Sequence, residues 1–182
     1  MPGILLGNEI KKGTPEFAVE HGGSFPSNAR DMARCVSLVL REAERVVFVD
    51  HFFDPAEKRF RNPLQAFIEK AYESKPGNPL RELEYHLTNK KGVSQSQFQG
   101  QCEEHLPRIV PAGTTLKLIR WRSKPLEESI HQRMILTSLC GISFDPGLDE
   151  REGDLTKVRI LPESDFRRFI EQYREGSAAF EF

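Results

Sequence analysis

Cysteine is scarce. The chain holds three in 182 residues, Cys35, Cys102 and Cys140, far apart and without a C-x-x-C spacing. An odd and scattered set argues against a disulfide framework or a zinc ribbon and predicts reduced thiols. Long apolar runs are missing too. No stretch approaches the length of a transmembrane helix. The opening Met1-Pro2-Gly3-Ile4-Leu5-Leu6-Gly7 lacks the basic leader and long apolar core of a secretory signal, so a cytoplasmic location is the default expectation. Neither sign of charge is in excess: Lys plus Arg is 26, Asp plus Glu is 27, and the formal net charge is -1. A nucleic-acid ligand must therefore be argued from local clustering. Histidines at H-x-H or H-x-x-x-H spacing are absent, and the acidic stretch 145–154 lacks the D-x-D-x-D-G pattern of a calcium loop. No metal and no other cofactor is expected. Internal repeats and low-complexity tracts are absent as well.

What is present fits one domain of ordinary size, long enough to bury a core without staples. Residues 1–25 carry little pattern, with His21-Gly22-Gly23-Ser24 read as a loop, and residues 26–182 form the domain. Ser27 is the expected cap of a helix over 27–44, whose apolar positions Met32, Ala33, Val36, Val39 and Leu40 keep helical spacing. Val46-Val47-Phe48-Val49 is a continuous β-branched and aromatic run, as expected of a strand buried on both faces. Asp50 and His51 then stand at its C-terminal end, where open α/β sheets present ligands. A charged loop with Pro55 and Pro63 precedes a helix over 63–74, which Lys75-Pro76-Gly77-Asn78-Pro79 ends.

Further strands are expected over 83–87, 114–121, 130–137, 142–144 and 157–161, with a polar helix from Ser94 to about residue 106. A final helix over 163–173 turns Phe166, Phe169 and Ile170 inward. Helices alternate with strands early and strands follow one another late. That order predicts an α/β fold with a mixed sheet flanked by helices.

The richest segment is 130–149. On a strand, His131, Arg133 and Ile135 share one face, and residues two apart lie about 6–7 Å from each other. Such a His and Arg can hold a phosphate, the guanidinium through forked donors and the imidazole as a nucleophile or proton shuttle. The segment resembles the His-x-Lys strand of the phospholipase D superfamily. It is most similar to a smaller branch that reads His-x-Arg, a Gly-containing turn, then Gly-Leu-Asp. That branch includes the phospholipase D-like C-terminal domain of MIT-domain proteins and small bacterial relatives. The matching positions are His131, Arg133, Gly141 and Gly147-Leu148-Asp149, and residues 47–54 resemble the hydrophobic strand and turn near the start of such domains.

The resemblance implies catalytic roles for His131 and Arg133 and a ligand-binding role for Asp149. It also implies a partner. The superfamily uses two such histidines and this chain has one, so either two His131 side chains meet in a homodimer or the site no longer catalyses. Two departures favour the second: Arg133 stands for the Lys, and Ser138 stands where the superfamily carries an Asp.

Between residues 105 and 133 lie six basic residues, Arg108, Lys117, Arg120, Arg122, Lys124 and Arg133, against two acidic ones. With Trp121 between Arg120 and Arg122, this band offers stacking on bases and contact with phosphates, or is a solvated strand end with incidental charge. Arg120, Trp121, Arg122 and Lys124 are the candidate ligand contacts of the band. His51 and His86 are either a second acid or base, with His51 a candidate ligand contact, or hydrogen-bonded structural residues. The expected function is a non-catalytic or weakly active phospholipase D-like module that binds a phosphate-containing ligand or partner subunit in a larger assembly. The alternative is a homodimeric phosphodiesterase or nuclease using His131 from each chain. Small bacterial relatives imply a setting in defence or DNA-processing systems.

Overall fold

The computed structural model describes residues 22–73, 80, 82–88, 92–111, 114–121 and 133–173. Seven strands form one sheet: β1 (Gly22–Pro26), β2 (Arg45–Val49), β3 (Glu82–Thr88), β4 (Leu116–Trp121), β5 (Arg133–Thr137), β6 (Gly141–Asp145) and β7 (Leu155–Ile160). Among the described residues the α-helices are α1 (Ala29–Cys35), α2 (Ser37–Glu42), α3 (Lys58–Tyr72), α4 (Gln95–His105) and α5 (Glu163–Gln172). The spatial order is β1-β7-β6-β5-β2-β3-β4. Strands β2, β3 and β4 run parallel, because α3 and α4 return the chain to the same edge between them. From β5 onward short connections replace helices, so β5, β6, β7 and β1 pair antiparallel. The expected mixed α/β sheet flanked by helices is the observed architecture.

Strand periodicity divides the core. Val46, Phe48, Tyr85, Ile135 and Phe144 face one way and pack with Met32, Leu40, Phe60, Leu64, Phe67 and Ile68 of α1 to α3. Val47, Val49, Met134 and Leu136 face the other way, against Phe169 of α5 and Tyr173 just beyond it. The strand at 45–49 is thus buried on both faces, as its sequence predicts. Beyond α5 the second face lies open over β7, where Lys157 and Arg159 meet solvent, an arrangement that antiparallel strands tolerate.

Four expectations are corrected. Gly22, Gly23 and Ser24, read as loop in an irregular lead-in, belong to edge strand β1, and Gly22 lies opposite Arg159 of β7. The helix over 27–44 is two helices with a break at Val36, whose backbone N–H caps α1 through the Arg34 carbonyl. Asn28 caps α1, its side chain accepting from the Asp31 N–H at 2.9 Å, while Ser27 is buried and its hydroxyl meets that of Thr156. Finally, α3 begins at Lys58 rather than at residue 63, with Pro63 inside it. Proline has no N–H to give the carbonyl four residues back. That carbonyl, of Arg59, accepts instead from the Glu150 N–H at 2.8 Å. The helix therefore runs through its proline by lending an acceptor to a loop.

The expected helix terminator at 75–79 and the first 21 residues lie outside the described residues. Among the described residues no helix is long and apolar enough to cross a membrane.

Candidate functional site at the strand ends

The parallel strands β2, β3 and β4 finish at the edge where β5 begins. Asp50, the first residue past β2, is 1% exposed, and its N–H donates to the His86 carbonyl of β3 at 3.1 Å. Its carboxylate joins two loops. One oxygen accepts from the Phe52 N–H at 2.9 Å and the other from the Leu148 N–H at 3.2 Å. Burial pushes the Asp50 carboxyl above its ordinary value, and the two backbone N–H groups and Arg133 pull against that shift.

Arg133 opens β5. Met134 lies opposite Val49, so the next step of the antiparallel ladder brings Arg133 level with Asp50. Arg133 and Ile135 do share a face, while Met134 and Leu136 take the other. The Arg133 guanidinium rests 4.7 Å from the centre of the Phe52 ring. His51 lies edge-on to the same ring at 4.1 Å, and its Nδ1 is 3.4 Å from the Thr88 hydroxyl at the end of β3.

Gly147-Leu148-Asp149 forms the far wall. Leu148 is 2% exposed and packs into the core beneath its bonded N–H. Asp149 is buried and pairs with Arg59 at 3.2 Å and with Arg151 at 3.2 Å. A Cβ at Gly147 would stand 2.4 Å from an oxygen of Asp149, so any larger residue would displace that carboxylate. Glu150 then spans two helices. It accepts from the Ala29 N–H at the start of α1 and from the Asn62 side chain in α3. The Gly-Leu-Asp triplet and Glu150 thus fasten a loop to the end of β2, to the start of α1 and to α3. Gly141 is the first residue of β6 rather than a turn residue, and its missing Cβ leaves room for Leu161 at what would be 2.6 Å.

The structure separates Arg120 from Trp121. Adjacent residues of β4 point to opposite faces. Arg120 is 3% exposed, 4.3 Å over the Phe98 ring, and donates to the Gln95 side chain at 2.6 Å. It fastens β4 to α4. On the other face, Trp121 Nε1 donates to His86 Nδ1 at 3.1 Å. His86 therefore carries its proton on Nε2, which donates to Glu84 at 3.1 Å, and Arg45 holds the same Glu84 oxygen at 3.1 Å. Burial pushes His86 below its ordinary value, and the Glu84 hydrogen bond opposes that. A buried relay with every partner inside the protein describes a structural histidine.

Ser138 lies past the far end of β5, about 16 Å from Arg133 by strand rise. Its hydroxyl accepts from the Glu44 N–H at 3.1 Å and so ties the turn to the start of β2.

No family model matches the chain. No curated protein matches it. Among solved structures, it is similar to TrmBL2, an archaeal chromatin protein whose structure shows a novel mode of DNA binding, with 14% identity and a TM-score of 0.38. The match covers 87% of this chain and 52% of that one, so the chain spans about half the length of that protein. A likeness at this score carries no functional argument.

Of the candidate residues, Arg133, His51 and Asp149 come together at the strand ends, Trp121 lines a small cavity with His51, Thr88 and His86, and Arg120 joins neither group. His131, Arg122 and Lys124 lie outside the described residues. Sequence reasoning missed Phe52, Arg59 and Arg151 as members of the cluster. Phe52 carried a signal, as it follows a strand-end Asp-His pair. Arg59 carried none, because its partner lies 90 residues away. Among the described residues, no three or more of His, Cys, Asp and Glu are grouped as a metal ion requires.

Proposed function

We propose that this chain is a phospholipase D-like module, non-catalytic or weakly active, that binds a phosphate-containing ligand at the strand ends within a larger assembly. The observation that carries the reading is Arg133, held level with the buried Asp50 and against the Phe52 ring at the edge where parallel strands end. A guanidinium fixed by neighbouring groups presents forked donors to a phosphate with little ordering cost. Arg59 and Arg151, partly exposed beyond their pairing with Asp149, add positive charge to the same wall. A phosphodiester ligand, nucleic acid included, fits this chemistry, and a partner chain or second copy completes the assembly.

The test is titration with inorganic phosphate, followed by NMR shifts, for the native protein and for Arg133→Ala. Losing charge-assisted hydrogen bonds of about 1.5–3 kcal/mol weakens binding roughly tenfold or more. Equal binding by both proteins overturns the reading. Hydrolysis of a chromogenic phosphodiester is measured alongside, with His131→Ala as control. Turnover in the native protein that disappears in His131→Ala selects the homodimeric phosphodiesterase instead.

A further inference from the structure

We infer that the ring of Phe52 is a stacking platform for a nucleobase whose neighbouring phosphate is held by Arg133, so that the ligand of this site is single-stranded nucleic acid. The inference rests on the phosphate-binding reading above and adds the class of ligand. Its basis is a contrast. Phe48, Phe53, Phe60 and Phe67 around the same strand end are each at most 2% exposed, whereas Phe52 is 45% exposed.

A loose loop does not explain that exposure. The Phe52 N–H is bonded to Asp50 at 2.9 Å, and the Phe53 N–H is bonded to the Asp50 carbonyl at 3.2 Å. The Phe53 ring is anchored 4.1 Å from Tyr85. The turn is fixed at both residues and directs one aromatic ring inward and the next outward.

The outward ring has a guanidinium and an imidazole beside it rather than apolar side chains. The Arg133 guanidinium lies 4.7 Å from its centre, and His51 meets it edge-on at 4.1 Å. A fixed aromatic plane beside a guanidinium is the combination that single-stranded nucleic-acid sites use. Every base offers a π-face, and every base is followed by a phosphate. Duplexes keep their bases stacked on each other, so the platform selects unpaired strands. Trp121 does not take this role, since its ring stacks on His86 at 5.7 Å and meets Tyr173 edge-on at 6.0 Å.

The experiment measures fluorescence anisotropy at low salt with a labelled twelve-nucleotide oligothymidine and an abasic strand of equal length. A duplex of equal length and vesicles containing phosphatidylserine complete the probes. Native protein, Phe52→Ala, Phe52→Trp and Arg133→Ala are compared, and thermal melting confirms that each is folded. Phe52→Ala is expected to weaken oligothymidine binding roughly ten- to a hundredfold and Phe52→Trp to restore it, the stacking contribution of one base. The abasic strand should be insensitive to Phe52→Ala yet lost with Arg133→Ala.

If Phe52→Ala binds oligothymidine as the native protein does while Arg133→Ala does not, the platform is wrong and the phosphate site stands. If Arg133→Ala binds every strand normally, the phosphate reading itself falls. Equal affinity for duplex and single strand overturns the platform. Vesicle binding that depends on Phe52, without oligothymidine binding, assigns the ring to a membrane surface and also overturns it.

Discussion

His86 sits between two partners that fix which of its nitrogens carries the proton. Trp121 donates to Nδ1 and Glu84 receives from Nε2, so a second proton on the ring would confront the indole N–H. Burial, Arg45 and Lys117 hold the ring below its ordinary value of 6.5, and Glu84 opposes them. When folding lowers a histidine pKa, the unfolded chain binds more protons just below pH 6.5. The stability contributed by neutral His86 is therefore complete above that pH and declines as pH falls toward the folded value. The slope from one such group is at most about 1.4 kcal/mol per pH unit.

Urea unfolding followed by the emission of Trp121, the sole tryptophan, reads this directly. His86→Gln keeps an acceptor and a donor and should flatten the slope just below about pH 6.5. A slope unchanged by the substitution would place the titrating group elsewhere. At this scale the sequence was partly legible. Alternation along a strand already sends Arg120 and Trp121 to opposite faces. The burial of Arg120 was not legible, because it depends on Phe98 and Gln95 of a helix whose polar sequence announced no docking face.

The elements show where local rules bend to distant partners. Pro63 looked like a helix start because prolines favour the first turn. Its interior place is supported by Glu150, whose N–H takes the Arg59 carbonyl that the proline leaves open. Nothing within ten residues of Pro63 encodes that. Pro63→Ala supplies a helical N–H that competes for the same carbonyl. Amide exchange at Glu150 is expected to accelerate in this variant, with global stability changing by about 1 kcal/mol or less, since relief at the helix offsets loosening of the loop. Unchanged protection of Glu150 would mean that the loop is held by its side-chain bonds alone. By contrast, the apolar run at 46–49 and the strand-end position of Asp50 and His51 were legible, as both follow from continuous burial and chain direction. The role of Asp50 in holding Leu148 was not, for it joins positions 98 residues apart.

At the scale of the molecule, a net charge of -1 limits how the proposed nucleic-acid ligand is held. Arg133, Arg59 and Arg151 surround the site, and Asp50 and Asp149 offset part of their charge. Two or three neutralised phosphates give a plot of log affinity against log salt with a slope of about -1.4 to -2 for a single strand. A slope steeper than about -4 would mean that basic residues beyond these three also contact the strand. The change from alternating helices and strands to successive strands was legible in the sequence and yields the mixed sheet. The outermost strand was not, because two glycines and a proline in five residues give it no strand pattern, and its conformation comes from pairing with β7.

That pairing sets an order of events on the ribosome. Among the described strands β1 is made first, yet its partner β7 is made last. At bacterial or eukaryotic elongation rates the early strand waits on the order of ten seconds for a place in the sheet. Its glycines and proline make it a poor template for foreign strands during that wait. The weak strand character that hid β1 from sequence reading thus protects the nascent chain until the sheet can close over it.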